Sequence, residues 1–197
     1  MIKKITVGPI DENCYIIHGD GEREALVVDP GADGDIIIDE LERLGLEPRT
    51  IYLTHAHVDH IGGIPQLFAR YRIPVWVHTE DRAMYASPRN EILPWLPHVD
   101  GLPAIIEEGL PAVPGLKFSI LPTPGHTPGS CCFYFADWGL CLTGDTLFCG
   151  GVGRTDFPGG SAVALHESLH KKLAVLPRDT VIYPGHGSSS TIGDEFF

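Results

Sequence analysis

Short apolar runs alternate along this chain with stretches whose apolar positions recur every three to four residues. The first pattern is typical of buried strands and the second of amphipathic helices. We predict strands at residues 2–7, 14–18, 25–28, 50–53, 75–78, 116–121, 131–135, 140–142 and 180–183. We predict helices at residues 35–44, 64–71 and 163–176, with a helical turn near 81–86. Gly45 follows the first helix, where glycine commonly ends a helix. Periodicity alone therefore indicates an α/β or α+β fold.

Composition limits the class of protein. The 197 residues, 43% of them hydrophobic, fit one globular domain spanning residues 1–197. Fourteen Lys and Arg against 26 Asp and Glu give a formal charge of −12, which argues against a nucleic-acid or anionic-membrane partner. The N-terminus is too polar for a signal peptide, and the five cysteines include no C-x-x-C pair. We expect a cytoplasmic protein with reduced cysteines, and its oligomeric state stays open.

The candidate chemistry lies directly after the predicted strand at residues 50–53. Residues 54–60 read T-H-A-H-V-D-H and place His55, His57, Asp59 and His60 at the end of that strand. Imidazole and carboxylate groups suit zinc, iron or manganese, and their density suggests more than one ion. A solvated polar loop is the alternative, which the density of the cluster disfavours.

This H-x-H-x-D-H pattern resembles the signature of the metallo-β-lactamase superfamily of metal-dependent hydrolases. Four further segments resemble that family in the required order: V-V-D-P-G at 27–31, P-G-H-T-P-G at 124–129, T-G-D-T-L-F at 143–148 and Y-P-G-H-G at 183–187. The resemblance covers essentially the whole chain. It implies an α/β fold of the αββα sandwich type, with two mixed sheets face to face and helices on the outer faces.

The resemblance also implies a site for two divalent ions, with zinc as the first choice and iron or manganese as alternatives. The implied ligands are His55, His57 and His126 for one ion, Asp59, His60 and His186 for the other, and Asp145 as a bridge. Hydrolysis would then use metal-bound hydroxide, with Asp59 and Asp145 as catalytic residues that orient the water. Asp29 is expected to hold the ligand loops, or alternatively to be a plain turn residue.

Residues 148–158 suggest which branch of the family applies. They read F-C-G-G-V-G-R-T-D-F-P and resemble the small single-domain hydrolases of the glyoxalase II type. Arg154 is a candidate anchor for a substrate carboxylate, and an internal pair with Asp156 is the alternative. We expect an anionic thioester substrate, an S-hydroxyacyl-glutathione or a related acyl thioester.

Other features leave alternatives open. We expect no C-terminal helical domain of the kind that supplies glutathione contacts in full-length glyoxalase II enzymes, so the thiol carrier is uncertain. The proline-rich residues 87–115 are predicted to cross the surface over the site and to offer Trp95, Leu96 and His98 as a substrate wall. For Trp95, packing on the sheet is favoured.

Residues 148–158 also resemble the persulfide dioxygenases, in which His55, His126 and Asp145 would bind a single iron. A non-catalytic binding module is disfavoured by the complete ligand set. We expect no export signal, which disfavours a β-lactamase, and no basic groove, which disfavours a nuclease.

A competing motif occurs later in the chain. Residues 166–170 read H-E-S-L-H, which matches the zinc-peptidase pattern H-E-x-x-H on a predicted helix. The helix has leucines spaced to face a core, and His166 and His170 then lie at its solvent margin. We favour the second interpretation.

Overall fold

The computed structural model describes residues 1–87, 90, 95–96, 98–106 and 112–196. The first half of the chain forms a five-stranded sheet in sequence order: β1 Ile2–Val7, β2 Glu12–His18, β3 Glu24–Val28, β4 Glu47–Tyr52 and β5 Val75–Trp76. In it β1–β2 and β2–β3 are antiparallel, whereas β3–β4 and β4–β5 are parallel.

The second half forms another five-stranded mixed sheet. Its strands are β6 Ser119–Pro122, β7 Cys131–Phe135, β8 Leu140–Gly144, β11 Val181–Pro184 and β12 Ser190–Thr191, in the order β12-β11-β8-β7-β6. Here β8 and β11 are parallel, and the other neighbours are antiparallel. A two-stranded hairpin follows β8, made of β9 Leu147–Phe148 and β10 Gly151–Val152.

The helices of the described residues are short. They are α1 Gly34–Leu44, α2 Val58–Ile61, α3 Ile64–Tyr71, α4 Arg82–Tyr85, α5 Ala162–Ser168 and α6 Ile192–Phe196. Gly45 ends α1 in the left-handed conformation (φ 67°), as predicted, and its amide bonds to the last turn. None of the helices in the described part of the chain has the length and apolar character needed to cross a membrane.

Alternating side chains build the layers. On β2, Ile17 packs into a core between the two sheets, while its neighbour Ile16 packs against the helices outside. On β7, Phe133 lies in the inner core, and Cys132 faces the outer cluster with Leu165 of α5. Apolar clusters therefore lie on both faces of each sheet, and the predicted αββα sandwich with two mixed sheets is confirmed.

Most predicted strands and helices are present, but several bounds differ. Strand β2 starts at Glu12 because Glu12 pairs with Val7 and continues the hairpin ladder. Strand β4 starts at Glu47, before the apolar run, and a register shift between Ala25 and Leu26 accompanies Pro48. Polar residues and a proline hid this extension from the hydrophobic pattern.

Other differences arise where elements are short or change type. The strand predicted at 75–78 ends at Trp76, and that predicted at 116–121 is Ser119–Pro122. The helix predicted at 163–176 is α5 followed by a π-helical turn, Leu169–Leu173. Helix α2 has only four residues, too few for a periodic signal, and the β9–β10 hairpin and α6 were not predicted either.

Trp95 is 58% exposed, so its predicted packing on the sheet is wrong. Residues 88–89, 91–94, 97 and 107–111 of the predicted surface excursion lie outside the described residues. That residues 1–197 form one domain without a C-terminal helical domain stays a prediction.

Candidate metal centre

Strand ends deliver the candidate ligands to one edge of the sandwich. His55 and His57 follow β4, and α2 begins at Val58, so Asp59 and His60 lie in its single turn. Asp145 follows β8. His186 follows β11, the parallel neighbour of β8, and His126 lies in the loop between β6 and β7. The carboxyl ends of parallel strands from both sheets thus meet at this edge.

Three imidazoles form the first group. Ring nitrogens of His55, His57 and His126 lie within 4.8 Å of one another, and His57 Nδ1 is 2.9 Å from His126 Nε2. The His126 Nδ1–H donates to the Arg154 carbonyl at 2.7 Å, which turns Nε2 toward the other two rings. His55 Nδ1 is 3.1 Å from Thr54 Oγ1, so its Nε2 also points inward. This arrangement can hold one metal ion through three nitrogens.

Asp59, His60 and His186 form the second group, again with ligand atoms within 4.8 Å. His186 Nδ1–H donates to the Ile10 carbonyl at 3.1 Å, and its Nε2 lies 3.2 Å from Asp59 Oδ2. His60 Nε2 is 3.7 Å from the same carboxylate oxygen. This set offers two nitrogens and a carboxylate to a second ion.

Asp145 lies between the two groups. Its Oδ1 is 3.5 Å from His60 Nε2, and its Oδ2 is 3.6 Å from His126 Nε2 and 3.8 Å from His186 Nε2. One carboxylate therefore presents an oxygen to each side, which is the geometry of a bridging ligand.

Several buried polar atoms here have no hydrogen-bond partner among the described residues. They are His55 Nε2, His60 Nε2, Asp59 Oδ1 and Asp145 Oδ1. Leaving such atoms unpaired in an interior costs free energy, so native proteins pair them or bind them to metals. All four belong to the residues of the two groups and the bridging Asp145, and this donor set fits two divalent cations.

The protonation states of two histidines in the first group suit metal binding. Burial, together with the neighbouring imidazoles, holds the pKa of His55 well below its usual range. Burial and the adjacent His126 lower the pKa of His57 to about 3. Both rings are therefore neutral at physiological pH, and neutral imidazole is the form that binds metals.

Asp29 supports the ligands from behind. Its carboxylate accepts hydrogen bonds from the Thr54 amide at 2.7 Å, from Thr54 Oγ1 at 2.6 Å and from His60 Nδ1 at 3.0 Å. The last contact turns His60 Nε2 toward Asp145. These are the contacts expected of a residue that orients ligands.

The centre opens into a cleft of about 310 Å³. Besides the ligands, its lining includes Phe148, Val152, Arg154 and Phe157. The Arg154 guanidinium binds Asp156 through two contacts of 2.6 Å and lies 4.0 Å above the Phe157 ring. Its hydrogen bonds lower the pKa of Asp156 to about 2. The predicted internal pair is thus present, and Arg154 still borders the cleft.

Sequence reasoning missed Glu12. This carboxyl is buried, its Oε1 lies 3.6 Å from His60 Nδ1, and neither oxygen has a hydrogen-bond partner among the described residues. Burial raises its pKa well above the usual range. Nothing in the sequence marked it, because a glutamate at a strand end is normally solvated.

The second histidine motif lies elsewhere. His166 and His170 are exposed on α5 and the turn after it, with ring centroids 4.3 Å apart. Neither belongs to a group of three or more possible metal ligands within the described ranges. The predicted solvent margin of an amphipathic helix is confirmed.

Comparison with known proteins agrees with this geometry. A family model of the metallo-beta-lactamase superfamily matches residues 7–186. The hydroxyacylglutathione hydrolase GloC of Haemophilus influenzae is 38% identical over 200 residues, covering 98% of this chain and 94% of that protein.

Solved structures are similar over the same length. The BLEG-1 B3 metallo-beta-lactamase is 36% identical with a TM-score of 0.87, covering 98% of this chain and 95% of its own. TTHA1623, solved in a di-iron-bound form, is 33% identical with a TM-score of 0.83, covering 98% and 96%.

Proposed function

Because this chain belongs to the metallo-β-lactamase superfamily, we propose that it is a binuclear hydrolase that cleaves an acyl thioester. The proposed substrate is an S-hydroxyacyl-glutathione or a related thioester of a small anionic thiol. Zinc is the first choice for both ions, with iron or manganese as alternatives. The ligands are those of the two groups, His55, His57, His126, Asp59, His60, His186 and the bridging Asp145.

The position of Asp145 carries the proposal of two ions. Its Oδ1 lies 3.5 Å from His60 Nε2 of the second group, and its Oδ2 lies 3.6 Å from His126 Nε2 of the first group and 3.8 Å from His186 Nε2 of the second. Oδ1 has no hydrogen-bond partner among the described residues. A single ion at the first group would leave Asp59 Oδ1 and His60 Nε2 buried and unpaired. A second ion, held by Asp59, His60 and His186, would give these atoms a partner.

The chemistry follows from the arrangement. Two bound divalent cations would supply a water of lowered pKa and an electrophilic contact for a carbonyl oxygen. Asp59 and Asp145 lie where their carboxylates can accept a hydrogen bond from the attacking water and orient it. No side-chain nucleophile is then needed.

The cleft supports the substrate class. Phe148, Val152 and Phe157 form apolar walls beside the centre, and Arg154 supplies positive charge at its border. Asp156 and Arg154 are both more than half exposed, so water screens their pair and a substrate carboxylate can replace Asp156. The name of the Haemophilus relative adds support for a hydroxyacyl thioester.

The dioxygenase alternative uses a smaller ligand set. It needs His55, His126 and Asp145 alone, yet His57 Nδ1 lies 2.9 Å from His126 Nε2 and so shares the first group. That contact favours the hydrolase. A β-lactam should also be assayed as a candidate substrate, because the BLEG-1 metallo-beta-lactamase is similar to this chain over 95% of its own length.

We further propose that the protein acts in the cytoplasm without a nucleic-acid or membrane partner. All five cysteines are free thiols, four of them buried, as a reducing compartment would keep them. The formal charge of −12 opposes binding to anionic polymers or lipids.

The decisive experiment combines metal analysis with three assays on one preparation purified without added metal. We expect two metal equivalents and thiol release from S-lactoylglutathione, lost on chelation and restored by metal. One iron equivalent with oxygen uptake on glutathione persulfide would instead establish the dioxygenase. Hydrolysis of a cephalosporin without thioester cleavage would overturn the proposed substrate class.

A further inference from the structure

Another buried carboxylate, Asp81, bonds the loops that carry the first-group ligands. Asp81 ends a 3₁₀ turn, Thr79–Asp81, and its side chain is inaccessible to solvent. It accepts hydrogen bonds from the Ala56 amide at 3.2 Å, from Thr127 Oγ1 at 2.7 Å and from the Gly129 amide at 2.7 Å. These three donors belong to two different loops.

Each of those loops carries ligands of the first group. Ala56 stands between His55 and His57, and Thr127 directly follows His126. Oδ2 of Asp81 contacts both loops at once, through Ala56 and Thr127. The carboxylate therefore ties together the two chain segments whose three imidazoles must converge.

We propose that Asp81 is a positioning residue for the first metal ion, holding His126 in register with His55 and His57. The inference rests on the proposed binuclear centre and does not depend on which substrate is cleaved. Asp81 acts through the backbone between the ligands and through Thr127, and it touches no ligand side chain in these hydrogen bonds.

The local packing is built around this carboxylate. A Cβ placed on Gly129 would lie 2.6 Å from both Cγ and Oδ1 of Asp81, so only glycine allows the amide to approach so closely. Thr127 Oγ1 also lies 2.8 Å from Ser130 Oγ, which extends the network along the loop. A buried network of this kind fixes the loop in a single arrangement.

Asp29 and Asp81 contact different sets of ligand segments. Asp29 bonds a ring nitrogen of His60 in the second group and also Thr54, the residue before His55, whereas Asp81 bonds the two loops that carry the first group. Because the hydrogen bonds of Asp81 reach only residues beside His55, His57 and His126, a change at Asp81 should weaken one ion and leave the other bound.

The test uses Asp81→Asn in the full chain, titrated with a competing chelator and zinc. The asparagine side chain has one acceptor oxygen, whereas the carboxylate has two. It cannot accept hydrogen bonds from the amides of Ala56 and Gly129 together and also bond Thr127 as the carboxylate does. We expect one zinc equivalent to bind 10- to 100-fold more weakly, in the range for second-layer partners of metal ligands, with the other unchanged. The visible spectrum of the cobalt-substituted variant should change for one ion only.

Asp137→Asn, at an exposed turn residue, is the control for loss of one carboxylate and should match the wild type. Thr127→Val removes one of the three bonds and should give a smaller shift in the same direction, which keeps the test available if Asp81→Asn misfolds. Wild-type affinity for both zinc equivalents in either variant would overturn the proposal, even if thermal stability fell. Two tightly bound ions in a wild type that cleaves no thioester would refute the proposed function and leave this inference standing.

Discussion

Asp29→Asn is the sharpest perturbation of the second metal group. Asp29 has a left-handed backbone (φ 49°), a conformation that asparagine tolerates better than alanine. The Asn variant therefore tests the loss of the carboxylate without a change in backbone strain. Its amide oxygen can still accept from the Thr54 amide. Its NH₂ group, however, would face the His60 Nδ1–H, and two donors cannot bond.

The expected loss follows from that contact. Without an acceptor at 3.0 Å, the His60 ring is no longer fixed with Nε2 toward Asp145. Loss of such a partner typically weakens metal binding about 10- to 100-fold, which is roughly 1.4–2.7 kcal/mol. Bound metal stabilises the folded state by mass action. At saturating metal, the variant should therefore lose the same amount from the free energy by which metal stabilises its fold. At about 2–4 °C per kcal/mol for a chain of this size, the metal-dependent rise in Tm should shrink by roughly 3–10 °C.

The assay is thermal unfolding of metal-depleted and metal-saturated protein, together with competition against a chelator. Asp33→Asn is a matched control, because Asp33 is also left-handed (φ 48°) and its carboxylate also accepts an amide, from Gly8 at 2.8 Å. Asp33 belongs to neither metal group. If Asp29→Asn keeps both the wild-type affinity and the wild-type rise in Tm, the reasoning about His60 is wrong.

Three further predictions concern the other histidines and Arg154. His57→Ala and His60→Ala should each remove about one metal equivalent and abolish thioester hydrolysis; retained activity in both would rule out the binuclear centre. Replacing His166 and His170 together by alanine should leave metal content and activity unchanged, because both are exposed and neither belongs to a group of possible metal ligands in the described part of the chain; a lost equivalent in metal analysis would contradict this. Arg154→Met should lower kcat/KM on an anionic thioester about tenfold and much less on an uncharged one, with metal content intact. An equal loss on both substrates would identify Arg154 as a structural partner of Asp156.

The sequence by itself determined the layered fold class and the location of the candidate ligands. Local patterns of apolar residues are enough to predict β1, α3 and β7 with their observed bounds. The cluster at residues 54–60 was visible because four possible metal ligands, three histidines and an aspartate, fall within six residues. The resemblance to a known family then added His126, Asp145 and His186, which are isolated in sequence.

Only the tertiary structure decided how these residues meet and what holds them. The contacts of Asp81 with Gly129 and of Asp29 with His60 join residues 48 and 31 positions apart, and no local pattern encodes such pairs. Glu12 precedes the strand predicted at residues 14–18 and reads as a solvated residue, whereas in the fold β2 begins with it beside His60 of the second metal group and buries it. Arg154 could have faced substrate or Asp156, and the fold of its loop placed Asp156 within 2.6 Å. Hydrophobic patterning specifies which face of an element is buried, whereas the partners of a buried polar group depend on which distant segments the packed sheets bring together.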